Sequence, residues 1–127
     1  MIKLLGLGQY MRGDDEIGLE LVKLWSEKYA GDYPEDLIEA DILESPGINL
    51  LGAIAGLDAA VLVDAIVSGA PAGTVIKFSQ EDLEEFGDGS RSVHGWGAAE
   101  TLALGRQLVP EYLPETIILI GIEAVIF

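Results

Sequence analysis

Residues 59–64 read AAVLVD. Every residue from Ala59 to Val63 is apolar, so this segment has no face to turn toward water. A strand of that kind is buried on both sides, which is the condition of a parallel sheet covered by helices on each face. It reads as the central strand, with Asp64 at its carboxyl end. Ile2–Leu7 and Thr116–Ile122 are further apolar runs of strand length, and Leu37–Leu43 reads as another strand. Ile17, Leu21, Leu24 and Trp25 recur at helical spacing and predict a helix over residues 15–29, stopped at Gly31-Asp32-Tyr33-Pro34. Pro46-Gly47 predicts a turn and 48–56 a short helix. Leu102, Leu104 and Leu108, among alanines, predict a helix over 95–108, followed by a linker between Pro110 and Pro114.

Two segments need separate treatment. The link 65–72 contains Ser68, Gly69 and Pro71 and is too short for a crossover helix. The strand after it, 73–78, is therefore expected to run antiparallel, as a hairpin with the central strand. Residues 79–93 are acidic and glycine-rich, read as a short helix and a surface loop. Strands alternating with helices define an α/β fold. The expectation is a three-layer sandwich around a mostly parallel five-stranded sheet with one antiparallel strand, one domain over residues 1–127. Ala124-Val125-Ile126-Phe127 follows directly on a buried strand, so a covering carboxyl-terminal helix is expected to be lacking from this stretch.

Charge narrows the partners. Twenty-two acids against seven basic residues leave a net charge of −15, a field that repels nucleic acid and anionic membranes and favours cations or a basic surface. No cysteine is present, which excludes disulfides, thiolate metal sites and cysteine nucleophiles. MIKLLGLG lacks the apolar length and cleavage site of a signal peptide, and no apolar stretch reaches the roughly 18 residues of a membrane span. These readings lead to the expectation of a soluble, cytoplasmic monomer.

The chemistry concentrates at strand ends. GLGQYMRGDDEIGLELV, residues 6–22, places glycines after the first strand, as phosphate cradles do. Yet the third glycine of G-x-G-x-x-G is missing, Tyr10, Met11 and Arg12 fill the space, and Asp14, Asp15 and Glu16 would repel an anion. Ligands of open parallel sheets bind beyond the carboxyl ends of the strands. The acids after the first strand and Asp64 after the third both fall there. The only histidine, His94, stands at the start of the 95–108 helix, which reaches the same edge if the strand before it points that way. Two carboxylates and an imidazole suit a first-row transition metal with open positions, with nickel, zinc or iron favoured over magnesium. No serine lies in G-x-S-x-G, and neither H-E-x-x-H nor a D-T-G loop occurs.

GLGQYMRGDDEIG resembles the amino-terminal G-x-G-N-x-L-x-x-D-[DE]-x-[IV]-G signature of hydrogenase maturation endopeptidases. VLVDAIVSGAPAGTV is similar to that family's strand, aspartate and A-P-G-T turn, SVHGWGAAETLAL to its S-x-H-x-x-[GS] helix start, and IILIGIEA to its last strand, I-x-G-I-[EQ]-P. The matches keep the family's order and spacing. The resemblance implies an endopeptidase that removes a carboxyl-terminal extension from the large-subunit precursor of a [NiFe] hydrogenase after nickel insertion. It implies that the substrate supplies the nickel, contacted by Asp15, Asp64 and His94, with Glu16 the alternative to Asp15; at rest the position would be empty or hold another divalent ion such as zinc or cadmium. Gln9 stands where the family has asparagine, residues 42–45 read ILES where many members have a D-x-G-T-type turn, and Ala124 replaces a common proline. The altered turn bears on which hydrogenase is processed. Two other readings share the constellation. One is a module that recognises a metallated partner without cutting it. The other is a receiver-like phosphoacceptor, which requires a lysine at the end of the last strand, where this chain has Gly121-Ile122-Glu123.

Overall fold

The central strand runs further than its apolar stretch. In the computed structural model, which describes residues 1–8, 16–34, 36–44, 49–66, 69–79, 82 and 97–123, β3 covers Ala59–Ile66. It is flanked on both edges by parallel strands, β1 (Ile2–Gly8) and β5 (Thr116–Glu123). β2 (Ile38–Glu44) pairs parallel with β1, and β4 (Val75–Phe78) closes the other side, so the order is β2-β1-β3-β5-β4. The expected α/β sandwich with four parallel strands and one antiparallel strand is what the chain forms.

The hairpin expectation is corrected. β4 does run antiparallel, but it pairs with β5, with Val75 opposite Ile122 and Phe78 opposite Leu119. β3 cannot accept it because both of its edges are already hydrogen-bonded. The linking turn carries the chain across β5, using Gly69 (φ +93°) and Gly73 (φ +88°), a left-handed conformation that residues with side chains rarely adopt. Thr74 closes that turn on Pro71 through its backbone N–H at 3.1 Å and its hydroxyl at 2.6 Å.

Helices cover both faces. α1 (Ile17–Tyr29) lies on one; α2 (Asn49–Ile54) and α3 (Gly97–Leu108) share the other. The core on the α2/α3 face gathers Leu5, Leu7, Leu50, Ile54, Leu62, Leu102, Ile117 and Leu119, all buried. Each such leucine contributes about 2 kcal/mol of burial. Strand alternation assigns the faces: Leu5, Leu62 and Leu119 stand abreast in the register and join this core, whereas Val63 and Ile122 turn toward α1.

The helix faces differ from those the leucine spacing predicts. α1 docks through Gly18, Leu19 and Val22, while Leu21 and Leu24 remain 39% and 58% exposed. In α3, Ala98, Leu102 and Ala103 are buried, while Leu104 and Leu108 are exposed. Small residues let these helices approach closely, and that decides their rotation more than the position of the largest side chains. The displaced leucines of α1, with Trp25 and Tyr29, border an apolar cleft of about 550 Å³ whose floor is Leu4, Val63, Ile120 and Ile122. Among the described residues no helix lies over it, and none is long and apolar enough to cross a membrane.

At the opposite edge of the sheet the chain's first residue is tied down. The Met1 ammonium bonds Asp58 Oδ2, and the Asp58 N–H donates to Met1 O at 3.1 Å. The ammonium's hydrogen bond and charge hold the Asp58 carboxyl below its ordinary value of 3.8. A carboxyl depressed by folding stabilises above its unfolded pKa, and the contribution disappears as pH falls through the folded value. Asp58→Asn should therefore lower Tm modestly near roughly pH 6, and the gap to wild type should narrow as pH falls below the ordinary value of 3.8, read by thermal melts across that range.

Candidate functional site

The strand order reverses direction between β1 and β3. From β1 the chain moves outward through α1 to β2; from β3 it moves the other way, across β5 to β4. Chain segments leaving two such strands diverge, and the carboxyl ends between them are where ligands of doubly wound sheets bind. Asp64 lies at that point, one residue beyond the last β1–β3 pair, Gly6–Val63. It is 9% exposed, points toward the α2/α3 side, and accepts a 2.9 Å hydrogen bond from the Ala65 N–H.

Glu16 occupies the single 3-10 position before α1 and is half-buried. Two glycines set its distance from β3. A Cβ on Gly18 would stand 2.4 Å from Val63 O and 2.6 Å from Leu7 O; one on Gly6 would stand 2.5 Å from Gly18 O. All are backbone atoms, two of them in the central strands β1 and β3 and one in α1. The amino end of α1 is thus pressed against the residue preceding Asp64, with no room for any side chain between. Asp14, Asp15 and His94 lie outside the described residues. Of the expected metal contacts, the structure describes Asp64 and the alternative, Glu16. Among the described residues no group of three potential ligands is assembled.

The helix that follows His94 in sequence has a defined direction. The expectation made its position depend on the strand before it, and that strand, β4, runs opposite to the others. β5 sets the direction instead. The Arg106 guanidinium donates to Pro114 O, so the carboxyl end of α3 lies near the start of β5. A helix of 12 residues rises about 18 Å, which carries Gly97 toward the edge where Asp64 lies.

One acid escaped the sequence reading as a site residue. Glu123, the last residue of β5, is 3% exposed, the most deeply buried charged side chain described. It was noted only as the residue found where a receiver would need lysine. The available signal was an acid directly ending an apolar strand, the same pattern that singled out Asp64.

These features define an open α/β protein with a carboxylate-bearing crevice at the switch point of its sheet. The family described as HycI: Hydrogenase maturation protease matches residues 37–127, the greater part of the chain. The hydrogenase expression/formation protein HupD of Thiocapsa roseopersicina is 28% identical over 125 residues, which are 98% of this chain and 54% of that protein. This chain therefore spans about half the length of that curated relative. Among solved structures, the [NiFe] hydrogenase maturation protease HybD from Thermococcus kodakarensis aligns with a TM-score of 0.67 at 26% identity, over 99% of this chain and 81% of that one. The hydrogenase maturating endopeptidase HybD from E. coli aligns with a TM-score of 0.77 over 99% of this chain and 75% of that one; at 23% identity that likeness speaks for the fold. The chain belongs to the hydrogenase maturation protease family.

The glycine contact yields a direct test. Gly18→Ala should cost roughly 2 kcal/mol, because the helix must lift off two strands, and the helix-propensity gain of up to about 1 kcal/mol does not offset that overpacking. Gly52→Ala, in α2 with nothing within 4 Å of the added carbon, should be neutral or slightly stabilising. Urea midpoints of the two variants would check the contrast.

Proposed function

We propose that this chain is an endopeptidase that removes the carboxyl-terminal extension from the nickel-loaded large-subunit precursor of a [NiFe] hydrogenase. The observation that carries the reading is Asp64: a buried carboxylate at the sheet's switch point, beside the tightly docked amino end of α1, in a chain of the maturation protease family. Asp64 is the ligand on which the reading turns, with Asp15 and His94 completing the contact to nickel and Glu16 as the alternative to Asp15. Nickel arrives as part of the substrate. A divalent ion held by these residues would supply orientation of the scissile bond, polarisation of its carbonyl or activation of water. The chain's part is to hold that ion with carboxylates already fixed by the sheet, so the scissile segment is presented only when metal is present. With a net charge of −15, the protein is suited to a cationic target and unsuited to nucleic acid or an anionic membrane surface. The reading takes it to act as a cytoplasmic monomer.

A receiver-like phosphoacceptor is disfavoured by what ends β5. That position carries the buried Glu123, and Lys77, on the antiparallel edge strand, is exposed. A carboxylate there would oppose a phosphorylated aspartate rather than neutralise it. A module that recognises the metallated precursor without cutting it would use the same crevice, and only turnover distinguishes it.

Incubation with nickel-loaded precursor should release the extension peptide, detected by mass. Asp64→Ala should cut release by at least the 10–100-fold that even outer partners of a metal site typically cost, with an unchanged circular dichroism spectrum. Unaltered release by a folded Asp64→Ala protein would sink the proposed role. Binding of the precursor with no peptide released by wild type would favour the recognition module. Crystals soaked in nickel or cadmium should show density joining Asp15, Asp64 and His94.

A further inference from the structure

We propose that the free edge of β2 is where the precursor's extension peptide docks, as an added strand running antiparallel to β2. The inference rests on the endopeptidase reading, since it names the surface that takes the peptide to be released. β2 is an outermost strand, and among the described residues it pairs with β1 alone. It is seven residues long and contains no proline, so its outer side presents a row of backbone donors and acceptors. Such an edge is a template for one more strand. Two contacts fix which groups face outward. Leu37 O accepts the Ile2 N–H at 2.8 Å, so odd-numbered residues from Leu37 onward turn their backbone groups to β1. The Ile42 N–H instead bonds a side chain, Asp41 Oδ1, at 2.8 Å. Paired residues exchange N–H and C=O on one side, and sides alternate along a strand, so Ala40 and Ile42 offer both groups to an incoming chain.

Side chains set what that chain must carry. Ala40 and Ile42 pack with the α1-face cluster, so Glu39 and Asp41 lie on the other face, the one Asp64 points to. Both acids are exposed. Residues directly opposite each other in an antiparallel pair put their side chains on one face. The fitting peptide therefore alternates, with apolar residues beside Ala40 and Ile42 and basic residues beside Glu39 and Asp41. A second copy of β2 would set these acids against each other, so the edge selects a basic strand and not itself. Direction follows from Asp64. Gly6 pairs with both Val63 and Ile42, so Asp64 lies level with the carboxyl end of β2. The extension begins at the scissile bond, meets the edge at that end and runs back toward Ile38, antiparallel to β2. An added strand lies three strand spacings from β3, roughly 14 Å, which about four extended residues span. The Asp41 carboxylate holds the Ile42 donor until a peptide carbonyl replaces it, and is then released to a basic side chain.

Titration of the full chain with a synthetic heptapeptide of alternating lysine and valine, read by amide hydrogen exchange, tests the inference. Binding should slow exchange of the Ala40 and Ile42 amides. Methylating the peptide's valine amides, which face β2, should weaken binding by about tenfold or more, whereas methylating its lysine amides, which face away, should not. Ala40→Pro removes one outward N–H at an edge position where proline is tolerated; it should weaken the peptide about tenfold and raise KM for nickel-loaded precursor more than it lowers kcat. Glu39→Lys combined with Asp41→Lys should do the same through charge, and carries the test if the proline variant fails to fold. Equal binding of the two methylated peptides would mean attraction by charge alone and would overturn the inference. Release of the extension by wild type with exchange at Ala40 and Ile42 unchanged would overturn it while leaving the endopeptidase reading intact. Peptide held at the edge with no release from the precursor would overturn the endopeptidase reading and leave the edge a peptide-binding surface.

Discussion

The backbone contact between Gly6 and Gly18 is the constraint on which the rest of the site depends. A helix packed on a sheet normally stands off by the length of its side chains. Here a Cβ at either glycine would fall 2.5 Å or less from a carbonyl oxygen, well inside van der Waals contact. α1 therefore enters the sheet at backbone distance, directly over the β1–β3 seam. Close docking sets the start of α1 against Val63, the residue before Asp64. Gly6 and Gly18 serve helix–strand contact.

Burial of charge follows from the same geometry. Asp64 and Glu123 end or nearly end strands whose other residues form the apolar core, and both are buried. Such placement costs stability unless partners or a cation compensate. The pairing of β4 with the free edge of β5 fixes where Glu123 stands. The antiparallel strand covers the exposed edge of the sheet's most apolar half, and its entry turn holds the last residue of β5 by both backbone groups.

Much of this fold was legible in one dimension because the signals are local. AAVLVD has no polar face, so it read as a central strand, although the strand runs two residues past Asp64, to Ile66. The three-layer arrangement followed from alternating apolar runs and helical spacings. The helix rotations were not legible: the leucine spacing marked the helices, but Leu21, Leu24, Leu104 and Leu108 are exposed, whereas Gly18, Leu19, Val22, Ala98 and Ala103 are buried. Side-chain size marks hydrophobic content, but close approach selects small residues, and the partner surface alone reveals where closeness is needed.

The sequence by itself determined which segments are strands, that the sheet is largely parallel, and that acids gather at strand ends. It did so because periodicity and polarity act over a few residues. Tertiary structure alone decided that β4 pairs with β5 and not β3, since an edge is available only after every other strand has chosen its neighbours. It also decided that Glu123 shares a face with Asp64. Fifty-nine positions in the sequence separate the two, and only the β3–β5 register, set by the packing of the whole core, brings them onto one side of the sheet.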